Sequence, residues 1–295
     1  MSTATAPIEH ISDTARWVAV YRAMESERPD ALFHDPFARR LAGTKGEAIV
    51  RTLPRGRQMA WAMIVRTALF DEMILARVRA GADLVVNLAA GLDARPWRLE
   101  LPPSLRWVDV DLPAILRYKA ETIGAATPAC RYEAVPTDLT DAAARRALFH
   151  RLGGEAQRAL VVTEGLLIYL TTEQVTALAR DLHAAGGFRW WLIDLANPRL
   201  LTMMNRMWGR TVQQGNATFR FAPAEGPGFF APLGWREAEF RSTLEEARRL
   251  RREMPMMWLW RLLARLGPAR RRDEMRRMSG TVLLERSALS AQRSA

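Results

Sequence analysis

Residues 83–99 read "DLVVNLAAGLDARPWRL". The apolar run predicts a strand over 83–90, and the residues after it form a turn with one glycine, Gly91, where dinucleotide-binding turns carry three. Gly91 lets backbone approach a ligand closely, and the turn's amides can face polar ligand atoms. What sits on that turn decides what the fold is for.

Downstream, short β-rich runs recur at "LRWVDVD" (105–111), "CRYEAVPTDL" (130–139), "ALVVTEG" (159–165) and "RWWLIDLA" (189–196). Helical stretches over 113–126, 141–154 and 171–187 separate most of them, which predicts an α/β fold with buried parallel strands covered on both faces. Upstream, residues 14–79 are apolar at three- and four-residue spacing and predict a helical cap, punctuated by Pro29, Pro36 and Pro54. After Pro198 the pattern is irregular over 199–233. "GWREAEFRS" then reads as a strand, an arginine-rich helical segment follows, and "GTVLLER" (280–286) reads as the last strand. The expected division is a cap over 1–80 and a ligand-binding domain over 81–295, with insertions at about 199–233 and 243–279 lying over one edge of the sheet as a lid.

The 295 residues are 49% hydrophobic, enough for a sizeable core. A single cysteine, Cys130, excludes an internal disulfide and a paired-cysteine metal site, so no metal is expected. Acids at Glu9 and Asp13 interrupt any signal-peptide pattern, and "MPMMWLW" is too short to span a bilayer; the chain reads as soluble and cytoplasmic. The net charge is +11, yet Lys45 and Lys119 are the only lysines, a skew that fits a GC-rich coding sequence. Residues 241–277 hold twelve arginines against five acids, so much of the excess is one local basic face.

Ligands of open parallel sheets bind at the carboxyl ends of the strands, where strand order reverses. Asp111 ends the second strand, twenty residues after Gly91, and can accept both hydroxyls of a ribose. Asp138 follows the third strand and can receive an exocyclic amine such as adenine N6. Glu164 and Gly165 end the fourth. Each alone also reads as a helix cap or a surface residue; four at successive strand ends favour a site.

These residues carry a resemblance. "VVNLAAGLDARPWRL", "WVDVDLPAILRYKAETI", "TDL" and "VVTEGLLIYLTTEQV", with the opening "SDTARWVAVYRAMESERPDALFHDPFARRLAG", resemble the leucine carboxyl methyltransferase family, closest to its bacterial branch of polyketide-type O-methyltransferases. The resemblance covers most of 12–198 and thins beyond. It implies a class I methyltransferase fold, a Rossmann-like, mostly parallel seven-stranded sheet with an antiparallel strand near its end, binding S-adenosyl-L-methionine. It further implies that Arg66 holds the methionine carboxylate and that Asn87, Ala89 and Gly91 lie beside the methionine and ribose. Asp111, with Leu112 after it, would hold the ribose, Asp138 and Leu139 the adenine, and Glu164 and Gly165 would wall the sulfonium. A one-glycine turn suits a nucleoside ending in an amino acid, which has no pyrophosphate.

A carboxylate acceptor is ionised at neutral pH and needs no general base, whereas a phenol does. His10, His34, His150 and His183 are scattered, which leaves no evident base and favours a carboxylate acceptor, as the resemblance also implies; the expected enzyme is an O-methyltransferase of secondary metabolism, with a phenol or hydroxyl acceptor as the alternative. Arg16, Arg22, Arg206 and Arg210 are candidate cations for an acidic acceptor; Tyr169, Trp208 and Phe219 are candidate aromatic walls. Trp258, Leu262 and Leu266 share one side of the arginine-rich segment, as a lid, a homodimer contact, a membrane-surface helix or a packed helix with a solvated arginine face. The rival readings are an NAD-dependent oxidoreductase, which lacks its glycines, and a non-catalytic nucleic-acid or anionic-membrane binder using the basic face. No nucleic-acid partner is expected of the enzyme.

Overall fold

The computed structural model describes residues 13–53, 56–213, 218–254, 256–257 and 269–287. Seven strands, β1 (Leu84–Leu88), β2 (Arg106–Asp111), β3 (Arg131–Pro136), β4 (Ala159–Thr163), β5 (Phe188–Ala196), β6 (Trp235–Ser242) and β7 (Ser279–Arg286), form one sheet in the order β3-β2-β1-β4-β5-β7-β6. The first five pair in parallel, and β7 runs antiparallel between β5 and β6. Strand order reverses between β1 and β4, which opens a crevice at their carboxyl ends.

Alternate residues of the central strands face opposite layers. Val86, Val108, Val161, Trp191 and Val282 pack with Phe149 and Leu152 of α6 (Ala142–Glu155) and Leu178 and Leu182 of α7 (Thr172–Ala184). Val85, Trp107, Leu160, Leu192 and Leu283 pack with Phe70, Met73 and Ile74 of α3 (Ala60–Arg79). Since both faces are covered, β1 and β4 are apolar throughout their length rather than alternating, apart from Asn87 and Thr163.

The expected cap over 1–80 is of two kinds. Its last helix, α3, belongs to the sheet's own layer, whereas α1 (Asp13–Ser26) and α2 (Ala38–Thr52) pack on each other over the crevice side. Gly46 permits that crossing, because a Cβ there would stand 2.9 Å from the carbonyl oxygen of Arg16. The stretch expected to be irregular at 199–233 contains α8 (Pro198–Gln213) and a 3-10 helix, Gly226–Leu233. Its apolar residues at 200, 201, 204, 207 and 208 keep helical spacing, a periodicity masked in sequence by the polar residues between them. Thr243–Arg249 and Ala269–Arg276 are helical as well (α9 and α10). Trp258, Leu262 and Leu266 lie outside the described residues. Several arginines of 241–277 are paired: Arg241 and Arg249 with Glu72, Arg252 with Glu25, Arg276 with Glu245 and Arg277 with Glu237. No helix among the described residues is long and apolar enough to cross a membrane.

One polar cluster sits inside the sheet. Asp109 of β2 is fully buried and accepts hydrogen bonds from Lys119 Nζ of α5 (Pro113–Ile123), the Tyr132 hydroxyl at 2.9 Å and Trp107 Nε1 at 2.8 Å. Lys119 is itself 1% exposed. Removing one partner of such a pair leaves the other charge desolvated, so Lys119→Met is expected to lower the unfolding free energy by about 3–5 kcal/mol. Urea denaturation checks this, and a loss of under about 1 kcal/mol, as for an exposed pair, would mean that the pair does not tie α5 to the sheet.

Candidate active site

The turn after β1 is built to bring backbone close to a ligand. Ala89 and Gly91 both take left-handed φ values of +53°. That conformation is strained for Ala89, which carries a Cβ, and such strain gathers at binding sites. A Cβ on Gly91 would stand 3.1 Å from Ala15 Cβ, so α1 closes directly over the turn. Asp111, at the end of β2, accepts the Gly91 amide at 2.6 Å and the Leu112 amide at 2.7 Å. The helix that follows Asp111 has its N-cap at Leu112 with no side-chain cap, so Asp111 is not capping it. Each carboxylate oxygen accepts one backbone amide, which leaves lone pairs for hydroxyls. Burial pushes the Asp111 carboxyl above its ordinary range, with the two amides offsetting part of the rise.

Asp138 is likewise not a helix cap, since Asp141 caps α6; its Oδ1 instead accepts the amide and hydroxyl of Thr140 at the exposed rim of the crevice. Those two hydrogen bonds hold its carboxyl below the usual range.

At the other end, charges alternate. Arg66 of α3 donates Nε to Glu164 Oε1 at 3.0 Å and Nη1 to Asp194 Oδ2 at 3.3 Å. Glu164 Oε2 lies 2.8 Å from Arg95 Nη1, and Arg95 also meets Asp93 and Asp71, each at 2.6 Å. Asp194, on β5, accepts the Gly165 amide at 2.6 Å. Gly165 has φ +67°, and a Cβ there would stand 3.1 Å from Arg66 Nη1, so only glycine lets this turn lie against the guanidinium. Burial lowers the affinity of Arg66 for its proton, but Asp194 and Glu164 outweigh it and the group stays charged.

These groups line one cavity of about 620 Å³. Every sequence-predicted cofactor residue, Arg66, Asn87, Ala89, Gly91, Asp111, Leu112, Asp138, Leu139, Glu164 and Gly165, borders it. Both insertions contribute walls, Met204 and Phe219 from the first and Leu244 and Met254 from the second. Tyr169 and Phe219 stand with ring centroids 5.5 Å apart, and Trp208 lies 6.4 Å from Trp17.

The candidate acceptor cations separate. Arg22 borders the cavity, but its guanidinium is committed to Asp35 at 2.8 Å and the Leu92 carbonyl at 2.6 Å. Arg16 stacks on Tyr118, with 3.9 Å to the ring centroid, outside the wall. Arg206 is a correction: it is exposed on the outer side of α8 and does not border the cavity, because the apolar side chains of that helix turn inward. The Arg210 side chain lies outside the described residues. Asp93, Arg95 and Asp194 were not singled out from sequence. Asp194 carried the signal used for the other strands, an acid at the tip of an apolar run, "WWLIDLA".

The order of strands, the single-glycine turn and the acid at the end of β2 define a class I methyltransferase. Residues 15–183 match the model of the leucine carboxyl methyltransferase family. A protein of Parafrankia sp. (strain EAN1pec), named as an S-adenosyl-L-methionine-dependent methyltransferase, is 35% identical over 259 residues, 83% of each chain. With several mycobacterial relatives of similar name the alignment spans just under two thirds of their length. Among solved structures, a DUF574 family protein of Streptomyces avermitilis matches 95% of this chain and 98% of its own, with a TM-score of 0.60 at 15% identity. A protein of Thermobifida fusca named as a methyltransferase matches 96% and 97%, with a TM-score of 0.58 at 15% identity. At that identity the two structures speak for the fold alone. The chain belongs to the leucine carboxyl methyltransferase family and is an S-adenosylmethionine-dependent methyltransferase.

The residues present fit that cofactor. A carboxylate with free lone pairs faces the turn, glycines stand where a Cβ would fill the cradle, and a paired cation marks the far end. Loss of a charged hydrogen-bond acceptor costs about 1.5–3 kcal/mol, so Asp111→Asn is expected to weaken S-adenosylhomocysteine by about tenfold or more in calorimetry. With its carboxyl raised by burial, Asp111 ionises later than a free aspartate, so affinity is expected to fall as pH drops through that raised value. An affinity flat through the acid range, or an unchanged Kd in the variant, would contradict the ribose assignment.

Proposed function

We propose that this methyltransferase forms methyl esters on small, largely apolar carboxylic acids, as the bacterial branch it resembles implies for secondary metabolism in the cytoplasm. The observation that carries this reading is the make-up of the cavity beyond the strand tips. Its wall there is formed by methionines and aromatics, including Met59, Met63, Met203, Met204, Met207, Trp17 and Trp208. Among the described residues no histidine borders it. Tyr21 gives its hydroxyl proton to the Gly56 carbonyl at 2.7 Å, and burial pushes its pKa up to about 12. Tyr169 is raised by burial too. Protonated phenols of this kind are poor bases, which suits an acceptor already ionised at neutral pH.

Bound S-adenosylmethionine supplies an electrophilic methyl group carried on a sulfonium. The chain's own share is to align and to exclude water. Asp111 and the turn at residues 87–91 hold the nucleoside, Asp138 and Leu139 border the position for the base, and Arg66 takes the amino-acid end. The apolar wall strips water from an incoming carboxylate, leaving its oxygen a stronger nucleophile, and most of the acceleration comes from that alignment in a dry site.

The test is transfer of labelled methyl from S-adenosylmethionine to a panel of aromatic and aliphatic carboxylic acids and matched phenols. Products are expected from the apolar acids and are expected to release label as methanol in mild base, as esters do. Base-stable product from the phenols alone would replace this reading with hydroxyl methylation.

A further inference from the structure

The ionised groups at the far end of the crevice are unequally matched. Glu164 has both carboxylate oxygens taken, Oε1 by Arg66 and Oε2 by Arg95. Asp194 accepts the Gly165 amide on Oδ1, while Oδ2 meets Arg66 Nη1 at a long 3.3 Å. Its side chain is also the most open of the three, 23% exposed against 14% for Arg66 and 13% for Glu164. The ion pairs that run inward from it join Asp194, Glu164, Asp93, Asp71 and Asp35 to Arg66, Arg95, Arg98 and Arg22. Five acids meet four arginines, and the weakest-held acid lies at the cavity end. Burial keeps the Asp194 carboxyl above its ordinary range even with Arg66 beside it, as for an anion short of counter-charge. Arg66, in turn, makes no hydrogen bond from Nη2 among the described residues.

An α-amino acid carries an ammonium and a carboxylate on one carbon. Arg66 Nη1 and Asp194 Oδ2 present the complementary charges side by side, 3.3 Å apart, on the wall of the cavity. We propose that Asp194 receives the α-ammonium of the cofactor's methionyl end while Arg66 beside it receives the α-carboxylate. This rests on the assignment of that end of the crevice to the amino acid. It makes the strand tip of β5 a binding element and gives the left-handed turn at Gly165 a purpose: its amide fixes Oδ1 and leaves Oδ2 toward the ligand. The surplus negative charge matches S-adenosylmethionine, which is net positive, better than S-adenosylhomocysteine, which has lost the sulfonium charge, so the same acid favours product release.

Calorimetry with four ligands separates the contributions: S-adenosylhomocysteine, its decarboxylated analogue with the ammonium alone, its desamino analogue with the carboxylate alone, and 5′-methylthioadenosine with neither. Asp194→Asn keeps an acceptor for the Gly165 amide and removes the charge. It is expected to weaken the two ammonium-bearing ligands by about tenfold or more and to change the other two by no more than about twofold. Arg66→Gln is expected to do the reverse, weakening the two carboxylate-bearing ligands. Equal losses on all four ligands in Asp194→Asn would mean that the residue only supports the turn, and no loss on any would mean that it is idle; either overturns the proposal. Should the variant fail to fold, the wild-type chain decides: the decarboxylated analogue binding more tightly than 5′-methylthioadenosine supports an ammonium receptor, and equal binding overturns it. Failure of the wild-type chain to bind 5′-methylthioadenosine at all would instead strike the nucleoside assignment beneath it.

Discussion

Buried charges of alternating sign run from Asp194 through Arg66, Glu164, Arg95, Asp71, Arg98 and Asp35 to Arg22. They tie the tips of β4 and β5 to the turn after β1, to α3 and to α1. Members in the middle, such as Arg95 between Glu164, Asp93 and Asp71, cannot be removed without leaving buried carboxylates short of a partner, a cost of several kcal/mol. The turn at residues 87–91, the fold-over of α1 and the seat of Arg66 all follow from it. Interior charge is a poor way to gain stability, since apolar residues of the same volume would serve as well. What it secures is position: dipoles and ions fixed before a ligand arrives need not reorganise when it does.

The cavity beyond this network has opposite chemistry. Methionine and aromatic side chains from α1, α8 and the second insertion enclose it, and methionine adapts to irregular shapes at little cost. One end of the crevice therefore recognises a charged, hydrogen-bonding molecule by fixed groups, while the other takes an apolar body by contact.

The central strands β1 and β4 were legible because fully buried strands leave unbroken apolar runs, with a glycine shortly after each. The ends of all seven fall within about three residues of the runs read from sequence. Asp111 and Gly91 were legible for the same reason: a carboxylate and a glycine at successive strand tips have few structural uses together. Helix α8 was not, since the spacing of its apolar residues is broken by the exposed Thr202 and Arg206 and by Asn205, which turns to the Phe219 carbonyl. Nor was the membership of α3, whose amphipathic pattern cannot say whether it covers a sheet or another helix. Arg95 was hidden because two of its partners, Asp71 and Glu164, lie on other elements, and sequence spacing carries no record of a contact made across the fold. Arg22 was legible as a cation near the site but not as one already committed to Asp35 and a carbonyl.

A crystal structure of the protein with S-adenosylhomocysteine bound tests the assignment of the crevice most directly. The expected density places the ribose hydroxyls on Asp111, the base over Asp138 and Leu139, and the amino-acid end against Arg66, with the ion network unmoved. Density with the amino-acid end at the Asp138 rim, or a nucleoside held outside the β1–β4 crevice, would contradict it.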